Sequence, residues 1–189
     1  VGARLIYVST DYVFDGTATI PYTERDTPNP INAYGLSKWQ GEQAVLASGA
    51  DALIVRTAWL YGHHGKNFVK SIMRAARREP GLRVVSDQRG CPTFAEDLAS
   101  ALIALMAKNV SGVIHVTNRG DCTWHEFAQA IVHDMGLTIP VTPISTGEAG
   151  RLAKRPSYSV LNQDRLVSLG ISMPEWRPSL ARFVYAAAV

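Results

Sequence analysis

Apolar residues in this chain come in short, nearly continuous runs separated by helix-length stretches, and that alternation predicts an α/β fold. Arg4-Leu5-Ile6-Tyr7-Val8-Ser9 and Asp51-Ala52-Leu53-Ile54-Val55-Arg56 read as buried strands. A parallel sheet covered on both faces uses runs of this kind, without polar alternation. Between them, Ala33 to Ser48 reads as a helix that Gly49 ends. Strand, helix and strand in this order imply a right-handed parallel crossover. From Asp11 to Pro30 the chain reads as a loop, with Asp15-Gly16 a turn signal and Pro21, Pro28 and Pro30 blocking a helix.

The pattern continues beyond residue 62. Helices are expected over 67–78, over 94–108 with Glu96 and Asp97 in the first turn, and from the capping box Thr123-Trp124-His125-Glu126 to Met135. Leu82 to Ser86 and Val113 to Val116 read as strands, and Pro140 to Ser145 as extended chain. Arg151 to Ser159 reads as a basic loop, Asp164 to Leu169 as a short helix, and Pro178 fits the first turn of a last helix. His115 is expected to be a hydrogen-bonded structural residue. No internal repeat or low-complexity linker interrupts the chain.

Composition narrows the class. With 189 residues, 47% hydrophobic and 19% charged, the chain has the makeup of a globular protein with one sizeable core, or one core and an appended lobe. No apolar run approaches the roughly 20 residues that span a bilayer. Val1-Gly2-Ala3-Arg4 with the short run Leu5 to Val8 lacks the layout of a signal peptide. The net charge of +3 comes from scattered Lys and Arg, densest at Arg74-Ala-Ala-Arg77-Arg78. Cations at a helix end explain that cluster, and no nucleic-acid reader motif accompanies it. Cys91 and Cys122 fit no metal spacing and read as reduced thiols, which agrees with a cytoplasmic location. His63-His64 lacks further ligands for a metal.

The candidate chemistry lies in Tyr34-Gly35-Leu36-Ser37-Lys38 together with Ser9-Thr10-Asp11-Tyr12. If Asn32 or Ala33 opens a helix, Tyr34 and Lys38 leave one face a turn apart. A phenol is a poor proton donor at neutral pH, and a neighbouring ammonium favours its ionised form. Such a phenol can serve as general acid or base. Thr10, delivered at a strand's carboxyl end, would hydrogen-bond a carbonyl oxygen on which charge develops. Ligands of open parallel sheets bind there. Trp59 runs off the end of the second strand and could stack on a sugar ring or simply pack.

Several blocks together resemble the dTDP-4-dehydrorhamnose reductases, members of the extended short-chain dehydrogenase/reductases. They are Ser9-Thr-Asp-Tyr-Val-Phe-Asp-Gly16, Tyr34-Gly-Leu-Ser-Lys38-Trp-Gln-Gly41-Glu42, Arg56-Thr-Ala-Trp59-Leu-Tyr-Gly62, Asn67-Phe-Val69, Asp87-Gln-Arg-Gly-Cys-Pro-Thr93 and Arg155-Pro-Ser-Tyr-Ser-Val-Leu161. The resemblance implies a partial Rossmann-like parallel sheet with helices and a smaller α/β substrate-binding lobe. On that reading residues 1–62 and 91–118 belong to the NAD(P)-binding part, and 63–90 and 119–189 to the nucleotide-sugar lobe. It implies reduction of the C4 ketone of dTDP-6-deoxy-L-lyxo-4-hexulose to dTDP-L-rhamnose, with NADPH, or NADH in some members, giving the hydride. Tyr34 would protonate the nascent alkoxide, Lys38 would tune Tyr34 and hold the nicotinamide ribose, and Thr10 would bond the carbonyl oxygen. Asp11 would touch the sugar, Trp59 would pack on it, and Asn67 and Arg155 would meet the diphosphate. Some members dimerise, with Mg²⁺ involved in certain cases, but no metal constellation can be picked out in this sequence.

One departure bears on activity. The family opens with a Gly-rich strand-loop-helix that cradles the cofactor pyrophosphate, and this sequence contains none. The expectation is therefore that the true amino terminus is missing and that residues 1–189 alone bind NADPH poorly and turn over little. A related nucleotide-sugar epimerase or reductase is the alternative enzyme, separable by testing dTDP- against UDP- and GDP-sugars. A non-catalytic binding or regulatory relative would have no need of Thr10, Tyr34 and Lys38 together.

Overall fold

The computed structural model describes residues 3–187. Val1 and Gly2, read above for a leader-like layout, lie outside them. In chain order the elements are β1 (Leu5–Thr10), a 3-10 turn (Asp11–Val13), α1 (Ala33–Ala47), β2 (Ala52–Thr57), β3 (Leu60–Tyr61), α2 (Phe68–Ala76), β4 (Leu82–Val85) and β5 (Arg89–Gly90). They continue with β6 (Thr93–Phe94), α3 (Ala95–Met106), β7 (Gly112–His115), β8 (Cys122–Thr123), α4 (Trp124–Asp134), β9 (Val141–Ile144), α5 (Asp164–Ser168) and α6 (Trp176–Ala186). The helices expected over 67–78 and 94–108 are thus shorter at both ends.

A parallel sheet in the order β1-β2-β7 is the frame. β1 runs in register with β2 from Leu5 opposite Ala52 to Thr10 opposite Thr57, and Arg56 of β2 faces His115 of β7. β2 is buried along its whole length, as its near-continuous apolar run requires. One face of the sheet closes over Leu53, Val55, Leu98, Leu105, Ile114 and Val116. Leu166 and Met173 join that cluster, and Arg165 reaches the Val113 and Ser111 carbonyls. This corrects the expected assignment of 119–189 to the second lobe, because α5 and the turn after it pack on the sheet.

The second core gathers Tyr61, Val69, Ile72, Leu82, Val84, Phe94, Phe127, Ile131, Leu180 and Phe183 between α2, α4, α6 and the parallel pair β4 and β9. The capping box forms at α4, where Thr123 and Glu126 satisfy each other's backbone N–H groups. Asp97 at the start of α3 joins the two cores. Its carboxylate accepts from Asn118 at 2.8 Å, from Ser179 at 2.5 Å and from Arg182.

α1 is attached differently from the other helices. Only Gly35 and Glu42 of its residues are buried. A Cβ on Gly35 would collide with the Tyr12 carbonyl, and one on Gly41 with the Tyr7 hydroxyl, so these two glycines let the helix lie close on the 3-10 turn and on β1. Glu42 then accepts Ser9 Oγ at 2.5 Å, Arg56 Nε at 2.9 Å and Arg56 Nη2 at 2.6 Å. A buried polar clamp, rather than an apolar stripe, seats this helix.

Candidate active site

β1 ends at Thr10, whose extended backbone turns the chain into the 3-10 turn. Thr10 Oγ1 accepts the Tyr12 N–H at 3.2 Å and donates to Asp11 Oδ1 at 3.0 Å. Asp11 is buried, and its other oxygen accepts Ser159 Oγ at 2.5 Å. Burial pushes the Asp11 carboxyl up to about 7, against the lowering effect of the Ser159 and Thr10 hydrogen bonds.

α1 starts where Asn32 caps it, accepting the Gly35 N–H at 2.8 Å. This start fixes Tyr34 in the first turn and Lys38 one turn on. The Tyr34 ring meets the Tyr12 ring edge to face, centroids 5.9 Å apart, so the helix start sits on the turn that Thr10 caps. Tyr34 is 54% exposed, and its hydroxyl has no hydrogen-bond partner among the described residues. Lys38 Nζ donates to the Val8 carbonyl at 2.6 Å and lies 4.2 Å from the Tyr7 ring centroid. Thr10 of β1, Asp11 of the 3-10 turn, and Tyr34 and Lys38 of α1 therefore come onto one edge, at the carboxyl end of a parallel strand.

Beside this edge lies a cavity of about 490 Å³, lined by Phe68, Trp124 and Ile144 on its apolar side and by Arg83, Arg151 and Arg155 on its basic side. Arg83 pairs with Glu148 at 3.5 Å, whereas Arg151 and Arg155 form no ion pair among the described residues. Partial burial, and then the like charge of Arg155, lower the proton affinity of Arg151. Two neighbouring guanidinium groups of this kind suit an anion with several oxygens. Both act on Tyr12, so the cavity and the Tyr34 edge adjoin.

The 155–161 segment joins them. Ser157 donates to the Gly16 carbonyl at 2.9 Å, Ser159 reaches Asp11, and the backbone of 157 and 159 bonds both sides of Arg89 at 2.8 and 2.9 Å.

Three residues sit differently from expectation. Asn67 caps α2, accepting the Lys70 N–H at 3.0 Å and donating to the Gly62 carbonyl at 2.8 Å. It lines a separate cavity with His63 and His64, not the arginine cavity. The Trp59 indole is stacked on Trp124, centroids 3.5 Å apart and 7° from parallel, and packs into two clusters. Trp124, not Trp59, lines the cavity. His115 is fully buried, but neither ring nitrogen has a hydrogen-bond partner among the described residues. Backbone groups of Asn162 and Tyr22 approach the ring without closing a normal bond, and burial holds the imidazole down to about 3.

Sequence reasoning gave no role to Ser159, Trp124, Arg151 or the Glu42–Arg56 pair. Only the last had a local signal, a charge ending an otherwise apolar strand, which needs a buried partner. Among the described residues no three His, Cys, Asp or Glu side chains cluster as metal ligands, and no helix is long and apolar enough to cross a membrane.

Comparison with known proteins agrees with this geometry. The spore coat polysaccharide biosynthesis protein SpsK of Bacillus subtilis (strain 168) is 42% identical over 184 residues, covering 97% of this chain and 65% of that protein. The dTDP-4-dehydrorhamnose reductase of Mycobacterium tuberculosis (strain ATCC 25618 / H37Rv) is 42% identical over 196 residues, covering 100% of this chain and 64% of that one. The crystal structure of dTDP-4-dehydrorhamnose reductase from Bacillus anthracis str. Ames in complex with NADP superposes with a TM-score of 0.95 at 42% identity. That superposition covers 98% of this chain and 66% of the other. The chain thus spans about 65% of the length of the curated relatives it matches. The family described as the RmlD substrate binding domain matches residues 1–189 throughout, and the chain belongs to it.

Proposed function

We propose that the protein reduces the C4 ketone of dTDP-6-deoxy-L-lyxo-4-hexulose to give dTDP-L-rhamnose. The observation that carries this reading is the meeting of Thr10, Tyr34 and Lys38 at the carboxyl edge of β1, beside a cavity with two arginines that form no ion pair among the described residues. The relatives named as dTDP-4-dehydrorhamnose reductases, one of them with NADP bound, support it.

NADPH, when bound, supplies the hydride. Tyr34 and Lys38 would hold its nicotinamide ribose, and the half-exposed, unpartnered phenol suits a group arriving from solvent. Thr10 donates a hydrogen bond to the ketone oxygen, and Tyr34 gives its proton to the alkoxide as charge develops there. Arg151 and Arg155 take the diphosphate, and the aromatic wall of Phe68 and Trp124, backed by Trp59, takes the base.

Tyr34→Phe tests this directly. In the full-length protein, keto-sugar-dependent NADPH oxidation should fall by about 10²-fold or more in kcat while KM for the sugar nucleotide changes little. Unchanged turnover rejects the role given to Tyr34. Equal rates with UDP- or GDP-linked keto sugars would favour a related nucleotide-sugar enzyme instead.

A further inference from the structure

The hydroxyl assigned to the ketone is pointed elsewhere. A threonine hydroxyl has one hydrogen and two lone pairs. Thr10 gives its hydrogen to Asp11 Oδ1 at 3.0 Å and fills one lone pair with the Tyr12 N–H. Ser159 spends its own hydrogen on Asp11 Oδ2 at 2.5 Å. Both hydroxyls thus converge on one buried acceptor, and in that state Thr10 has nothing left to donate to a carbonyl.

An ionised carboxylate only accepts, whereas the acid form carries one O–H to give. With a proton on Oδ1, the bond between the two residues reverses. Asp11 donates, Thr10 accepts on its second lone pair, and the Thr10 hydrogen is released toward the sheet edge. We propose that Asp11 is a positioning residue acting through Thr10: its acid form makes Thr10 a donor for the substrate's carbonyl oxygen, and its carboxylate form turns that donor away. No bond to carbon changes at Asp11, and its proton stays on it through turnover. The proton that reaches the alkoxide comes from Tyr34.

The surroundings favour this arrangement. Burial holds the carboxyl's midpoint near neutrality, at about 7. The titratable groups set against it stay neutral there: Tyr12 of its own turn is pushed up to about 12, as is Cys91 from the loop after β5. Tyr34 of α1 packs edge to face on the neighbouring Tyr12 ring, and Lys38 of α1 is held on the Val8 carbonyl. The charges of Arg151 and Arg155 act on Tyr12.

This inference rests on the reductase reading for its kinetic arm and on neither substrate nor cofactor for its spectroscopic arm. In the spectroscopic arm, the Asp11 side-chain carboxyl is followed by ¹³C NMR across pH. In Thr10→Val the ionised form loses a charge-assisted hydrogen bond and the acid form a weaker neutral one, so the midpoint should rise by about half a pH unit. In the kinetic arm, kcat/KM with NADPH and the keto sugar should fall by up to about 10²-fold as pH rises through the Asp11 midpoint. Asp11→Asn, whose amide donates and cannot ionise, should lose that limb, as should Thr10→Ala, while Thr10→Ser should restore it. A carboxyl titrating in the ordinary range and blind to Thr10→Val, or a limb that persists in Asp11→Asn, overturns the inference. Absence of turnover at every pH in the full-length protein would instead overturn the reductase reading.

Discussion

Glu42→Gln should destabilise the protein more than any substitution on the exposed face of α1. The carboxylate is fully buried and accepts from Ser9, Arg56 Nε and Arg56 Nη2, while Arg56 is only 3% exposed. An amide in its place removes one acceptor, turns an N–H₂ toward a hydroxyl or a guanidinium, and leaves a buried cation without its counter-charge. Breaking one partner of such a pair costs about 3–5 kcal/mol. Apolar packing cannot compensate, since Gly35 is the only other buried residue of α1. Against a total stability of about 5–15 kcal/mol this is a large share. The thermal midpoint should drop by about 6–20 °C. Circular dichroism during urea and thermal unfolding at neutral pH measures it. The double variant Glu42→Gln with Arg56→Met removes the stranded cation too, and should recover at least about 1 kcal/mol relative to Glu42→Gln alone. A single variant within about 0.5 kcal/mol of the parent, or strictly additive effects, would refute the view that α1 is held by this pair.

Burial holds the His115 imidazole down to about 3, below its ordinary 6.5, so the unfolded state binds the extra proton on acidification. Its contribution is whole above the unfolded value and is lost as pH falls toward the folded one. Between neutral pH and about pH 4.5 the parent should lose roughly 2–3 kcal/mol more than His115→Phe, read by urea unfolding at each pH. Asn67→Ala should lose about 1 kcal/mol of stability as a cap is removed, with KM for the sugar nucleotide unmoved. Arg155→Ala should do the reverse, raising that KM by about 10- to 100-fold with little effect on unfolding.

The frame of the fold was legible because its signals are local. Continuous apolar runs marked β1 and β2, and the box at Thr123 to Glu126 marked the start of α4. The two-residue strands β3, β5, β6 and β8 were not read, since two residues show no period. α5 was given to the wrong core because nothing in five residues says which apolar cluster Leu166 will join. Within the site, Tyr34 and Lys38 were readable from helical spacing, and Thr10 from its place at a strand's end. The cavity was not, because Phe68, Gln88, Trp124 and Ile144 come from separate parts of the chain and only tertiary packing assembles them. The capping role of Asn67 was missed although the signal was present: an Asn directly before an apolar helical run is first of all a cap.

The stretch from Arg155 to Ser159 has a mechanical consequence. Four peptide units reach at most about 14 Å, so the guanidinium at one end and the hydroxyl against Asp11 at the other ride on a single short tether. A ligand that draws the arginine inward therefore loads the same few bonds that decide which way the acid at residue 11 is hydrogen-bonded.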